Sequence, residues 1–163
     1  MIDLSTFSII IASIGVLAGV AYNVISIQHQ NKLKKMESLI RLSPWLNMSA
    51  NDVQEAITQV CSIKYKTYDD YLEKYSGKSE QIQLKILGNY FESLGILVHR
   101  KLVDVDIIYD FWGSIIHSTW KDLLPIVEGM RKSSGDANMF VFWEYLYNEL
   151  QKYMRSHKST VAV

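Results

Sequence analysis

The chain has 163 residues, 17 basic and 17 acidic side chains, and a hydrophobic share of 48%. That length suits one domain, or one small domain with an anchor, and that apolar share excludes a disordered or purely solvated chain. Zero formal charge argues against nucleic acid as a main partner, the single cysteine excludes a disulfide framework and a Cys-based zinc site, and eight Gly with two Pro exclude collagen-like and most all-β designs.

The charge is unevenly spread. Residues 1–31 carry one charged side chain, Asp3, so all 17 basic residues follow, against 16 acids. Within this stretch Phe7–Ile27 is interrupted only by Ser8, Ser13, Asn23 and Ser26 as polar residues. A helix needs roughly 20 mainly apolar residues to cross the hydrocarbon core of a bilayer, so the stretch predicts one transmembrane helix. A cleaved signal peptide calls for a basic start, and here that region has Asp3 instead. A buried core helix is usually shorter and polar on one side, and an amphipathic surface helix needs a charged face. Lys32, Lys34, Lys35 and Arg41 follow the span closely and no base precedes it. Positive residues stay on the cytoplasmic side, which predicts a cytoplasmic C-terminal part in a cell membrane. A reducing compartment suits the lone Cys61, read as a small buried apolar residue.

The helix is expected to run on to Ser43-Pro44, because the residue before proline avoids the α region. Asn51 and Gln54 read as a capping box opening a helix that bears Val53, Ala56, Ile57, Val60 and Cys61. Thr67 caps a short helix with Tyr68, Tyr71, Leu72 and Tyr75, which Gly77 ends. The next helix starts at Ser79. Ile82, Ile86, Tyr90 and Leu94 form one stripe and Leu84, Leu87, Phe91 and Val98 another, so it should be contacted on several sides. After a turn near Lys101, Asp104 reads as a cap, with Val103 and Ile108 placed for a hydrophobic staple. That helix carries Phe111, Trp112, Ile115, Ile116 and Trp120, and Pro125 should kink or restart it. Ser133-Ser-Gly135 reads as a loop. Met139, Trp143, Leu146, Tyr147, Leu150 and Tyr153 mark a last helix, frayed from Ser156. No segment alternates with the two-residue period of a strand. The expected fold is all-α: a membrane helix with its extension over 1–46, a bundle of about five helices over 47–156, and a disordered tail over 157–163.

Gly15-x3-Gly19 is a small-xxx-small motif that lets two membrane helices approach closely. Ser8, Ala12, Gly15, Gly19, Asn23 and Ser26 make one stripe, which Leu33, Met36 and Ile40 continue beyond the membrane. This face suits a homodimer, or a monomeric span with incidental small residues. Lys32, Lys34 and Lys35 read as a topology signal rather than a lipid-binding cluster. A metal or acid/base site would draw on Glu92, His99, Asp110 and His117, but each Glu/His or Asp/His pair is seven residues apart. Bundle metal sites use Glu-x-x-His, and seven residues separate ligands by about 10 Å along a helix. Asp104 and Asp106 lie near the start of the same helix as Asp110. No catalytic, cofactor or metal residue is therefore assigned, and no cofactor is expected. Hydrolase, phosphate-loop, zincin and Cys-x-x-Cys motifs are absent. The Tyr and Trp residues fall on apolar helix faces, which reads as core packing rather than base stacking. Arg131 and Lys132 read as helix C-terminal bases.

The pieces Phe91-Glu92-x-x-Gly95-x-Leu97-Val98, the acidic helix start at Asp104, Trp120…Pro125…Arg131 and the closing aromatic helix are similar to a known type. The chain resembles a family of small uncharacterised prokaryotic proteins with one N-terminal membrane helix and an all-helical domain of unknown function. The resemblance implies this architecture over residues 30–155 and no catalytic residues. The expected role is a membrane-anchored interaction or scaffolding module, whose partners are the bilayer, a second copy through Gly15/Gly19, or another protein. The alternatives are a membrane-tethered enzyme or metal protein, and a regulatory subunit of a membrane complex.

Overall fold

In the computed structural model the chain is all-helical, with no strand among the described residues. The structure describes residues 3–158, and the side chains of these except 4–12, 42, 44, 157 and 158. Six helices follow in order: α1 (Leu4–Leu42), α2 (Ala50–Cys61), α3 (Tyr68–Tyr75), α4 (Ser79–His99), α5 (Val105–Ser134) and α6 (Val141–Lys158). A 3₁₀ turn over Pro44–Asn47 joins α1 to α2. The chain forms two compact units, Met1–Ser38 and Leu39–Val163, so the division falls inside α1.

The first unit is the N-terminal part of α1. Its described apolar side chains from Ile14 to Leu33 are exposed: exposure runs from 48% at Leu33 to 73% at Tyr22, with Ile14, Val16, Leu17, Val20, Val24, Ile25 and Ile27 between. Among the described residues no helix is long and apolar enough to cross a membrane. The expected transmembrane helix is thus not supported by them. The part of that stretch over residues 4–12, with Ser8 and Ala12 of the small-residue stripe, lies outside the described side chains. What remains, residues 13–27, falls short of the roughly 20 a crossing needs.

The second unit is a bundle around α4, which contacts the 3₁₀ turn, α2, α3, α5 and α6, as its two apolar stripes require. The centre is aromatic. Trp143 is fully buried between Phe91, Trp120 and Phe140, at ring separations of 5.4, 5.1 and 5.8 Å. Leu84, Leu87, Ile116, Ile126, Leu146 and Leu150 close around this stack. Leu39, Leu46 and Met48 also pack against the core, and Ile40 is half-buried. Of the three residues expected to extend the stripe, only Leu33 is exposed, because Met36 and Ile40 are partly covered.

Local chemistry sets the helix ends. Thr67 accepts from the Asp70 N–H at 3.2 Å, while the Asp70 carboxylate accepts from the Lys66 N–H and from Lys74. The Lys74 hydrogen bond is the largest influence holding the Asp70 carboxyl below its ordinary pKa. The cap of α2 is Ser49, not Asn51: Ser49 Oγ accepts from the Asp52 N–H, and Asp52 returns a bond to the Ser49 N–H. Asn51 instead lies in the first turn. Asp104 occupies the cap position of α5 without a capping side-chain bond. At the end of α4 Lys101 adopts φ +55°, with Leu102 N–H donating to Leu97 O and Lys101 N–H to Val98 O. This is a Schellman closure with lysine where glycine is usual. α5 passes through Pro125 without ending, contrary to a restart there, and continues through Ser133-Ser134 to Gly135 at φ +71°. α6 runs to Lys158, past the fraying expected at Ser156; residues 159–163 of the expected disordered tail lie outside the described residues.

Candidate functional site

The four residues weighed for chemistry lie along α6 at separate places. Glu92, on α4, reaches the first turn of α6, where its Oε2 accepts from the Trp143 N–H at 2.7 Å, and the Phe142 N–H also donates to the carboxylate. These are donors that an α-helix leaves unsatisfied at its start, so Glu92 caps α6 from a neighbouring helix. Burial raises the Glu92 pKa above its ordinary value, and the two N–H groups and the Arg131 charge oppose that rise. His99 is exposed and sits edge-on to Phe142 and Tyr145, at 5.2 and 5.1 Å. His117 is half-buried, pairs through Nδ1 with the Gln151 amide and stacks on Tyr147 at 5.6 Å. Asp110 is exposed near Tyr153, whose hydroxyl pKa is raised by burial and then by Asp106 and Asp110.

These groups are not brought together. Among the described residues no group of three or more His, Cys, Asp or Glu side chains is arranged to hold a metal ion. Glu92 and His99 instead meet the first turns of α6, His117 meets Tyr147 and Gln151, and Asp110 acts only through its charge on Tyr153. Arg131, read from sequence as a helix-end base, does more: its Nε donates to Met139 O at 2.9 Å and its Nη2 pairs with Glu144 at 2.8 Å. It thereby ties the end of α5 to the start of α6.

The concave features lie elsewhere. A cleft of about 290 Å³ opens between the end of α2 and the middle of α5. Val60, Ile63 and Leu123 are its buried apolar floor, and Cys61, Lys64 and Ser118 are exposed at its rim. Cys61 is exposed rather than buried: it is the last residue of α2, and the core contact of that turn is made by its neighbour Val60. Tyr65 bridges one side by donating from its hydroxyl to the Asp122 carbonyl. A second, shallower groove of about 260 Å³ is lined by Leu39, Trp45, Leu46, Ile96 and Leu97, with Ser43 and Ser93 hydrogen-bonded at 2.8 Å. Both suit apolar or mixed contacts, and neither presents a nucleophile paired with a base.

The family profile for a domain of unknown function, DUF4760, matches residues 9–150. The chain belongs to the DUF4760 family. The match takes in residues 9–42 of α1 together with the bundle as far as residue 150, within α6. No curated protein matches the chain, and no solved structure does. Glu92 and Gly95, quoted above for the resemblance, both lie where α4 meets α6. The Glu92 carboxylate caps α6, and Gly95 leaves room for the Phe142 carbonyl, where any Cβ would collide.

Proposed function

We propose that this DUF4760 chain is a membrane-anchored helical domain that serves as an interaction module. The observation carrying this reading is the run of exposed apolar side chains from Ile14 to Ile27 on one unbroken helix. Such a surface is costly in water, and it continues the apolar sequence that begins at Phe7. With that segment included, the stretch reaches the roughly 20 residues a crossing needs. Lys32, Lys34 and Lys35 follow it and are exposed, which favours a cytoplasmic placement of the bundle. The resemblance to prokaryotic single-pass proteins points the same way. Gly15 and Gly19 have open space where a Cβ would stand, so a second helix can approach there, and self-association of the spans is part of the proposal.

The test is membrane extraction. The full chain should stay with membranes after an alkaline carbonate wash, and its C-terminal part should resist protease until the cells are opened. Release by carbonate would sink the anchor. Replacing Gly15 and Gly19 by Ile should reduce cross-linking of spans while preserving insertion, whereas Ile14 and Val16 replacements should change little. Equal pairing in both double variants would remove the seam and leave the anchor.

A further inference from the structure

We infer that the outer face of α5 is a self-complementary docking surface for a second copy of this chain, packed antiparallel across Ser114. Ile107, Phe111, Ser114 and Ser118 form one stripe, all exposed, and at 76% Phe111 is the most exposed large apolar side chain among the described residues. The cleft floored by Val60, Ile63 and Leu123 opens on the same helix, with Ser118 on its rim. Ser118 lies two helical turns beyond Phe111, about 10 Å along the axis.

This spacing fits a two-fold axis. Two antiparallel copies of α5 crossing between Ser114 and Ile115 set Phe111 of each opposite Ser118 of the other, so each ring meets the second copy's cleft. Serine at the crossing lets the helices approach, and an isologous contact needs one patch bearing both the projection and its receptor. Charge selects the same direction. The start of α5 carries exposed Asp104, Asp106 and Asp110, and exposed Lys121 lies farther along the same helix, while the cleft lining carries exposed Lys64 and Asp122. Antiparallel packing brings Asp110 of one copy beside Lys121 of the other, on the same flank of the crossing. Parallel packing would set acid against acid. The inference does not rest on the membrane reading, because every residue in it belongs to the bundle.

The test is disulfide trapping in the purified full chain with Cys61→Ser, which leaves no native thiol. Adding Ser114→Cys should give a disulfide-linked dimer on mild oxidation. Adding Glu128→Cys, far from the crossing, should not. Phe111→Asp should lower the trapping rate by about tenfold or more, the effect of losing one buried ring per copy. Asp110→Lys should lower it severalfold, and Lys121→Asp in the same chain should restore it. Gly15→Ile with Gly19→Ile should leave it unchanged, which separates this contact from any pairing of spans. Equal trapping at Ser114 and Glu128 would overturn the inference, as would Phe111→Asp or the charge pair having no effect. Circular dichroism checks folding; if Phe111→Asp perturbs the fold, the Asp110/Lys121 reversal decides alone. If Ser114→Cys gives no disulfide-linked dimer of the purified chain, the inference fails.

Discussion

Tyr71 shows how one atom sets a local cost. The residue is 1% exposed, and its hydroxyl has no hydrogen-bond partner among the described residues. Its ring lies among Tyr65, Tyr68 and Tyr75, so the apolar body is well placed while the polar tip is not. An unsatisfied buried hydroxyl costs about 1–3 kcal/mol. Tyr71→Phe should therefore raise the unfolding free energy by about 1 kcal/mol, measured by urea denaturation. Burial pushes the Tyr71 pKa up to about 12 from 10.0. A raised folded pKa means stability fully present below pH 10.0 and lost as pH rises through about 12. Tyr71→Phe should remove that alkaline loss, and an unchanged slope would show that another group carries it. Sequence made Tyr71 legible as core, from its helical spacing with Tyr68 and Tyr75, but gave no sign of its partnerless hydroxyl. Capping was legible where one candidate stood alone, as with Thr67. It failed at α2, where Ser49 and Asn51 are both good caps and only the bond to Asp52 decides.

At the scale of elements, α4 and α6 are joined by a contact that no local pattern announces. Gly88 and Gly95 lie against the Phe140 ring and the Phe142 carbonyl, and Glu92 between them caps α6. A carbonyl held in a helix start cannot swing aside as a side-chain tip can. Gly95→Ala should therefore cost about 2 kcal/mol or more, whereas Gly77→Ala meets no neighbour and strains only its own positive φ. Glu92→Ala should cost about 1–3 kcal/mol by leaving two N–H groups without an acceptor. Glu92→Gln keeps an acceptor and separates this role from charge. Because burial raises the Glu92 pKa, the stability tied to its protonation is present below the ordinary value of 4.5 and is lost as pH rises through the folded value. The difference between Glu92→Gln and the parent should thus move in favour of Gln as pH climbs from 4 upward. A pH-independent difference would show that the carboxylate is not held in a costly site. Glu92 reads as a candidate for chemistry because His99 follows it by seven residues on the same helix. Its partner is 51 positions away, and spacing within one helix cannot reveal that. The restart suggested by Pro125 does not occur: a proline removes one N–H and crowds one turn, yet α5 is held on both sides of it by Trp120, Leu123, Ile126 and Val127 in the core.

At the scale of the molecule, the point where the apolar helix gives way to the domain decides how the chain can be divided. Sequence places that boundary at 46/47, where Pro44 ends the helix. The second unit starts earlier, at Leu39. Leu39, Leu46 and Met48 pack against the core, Ser43 bonds to Ser93 at 2.8 Å, and Asn47 donates to Ile40 O at 3.0 Å. Residues 39–46 therefore lie against the core and α4. Polar charge patterning could not show this, because Arg41 and Ser43 make the segment look solvated while Leu39 and Leu46 are its part-buried contacts. A chain beginning at Leu39 should fold cooperatively and give a strongly helical spectrum. One beginning at Asn47 should still be helical, since α2 to α6 retain most of the core, but should be less stable by about 2–4 kcal/mol, the loss of two part-buried leucines and a shielded hydrogen bond. Urea denaturation of the two chains at equal concentration measures the gap. The longer chain should also show the larger dependence of stability on denaturant, because it exposes more surface on unfolding. Equal midpoints would mean that the end of α1 lies on the bundle without stabilising it, and that the domain begins at the 3₁₀ turn.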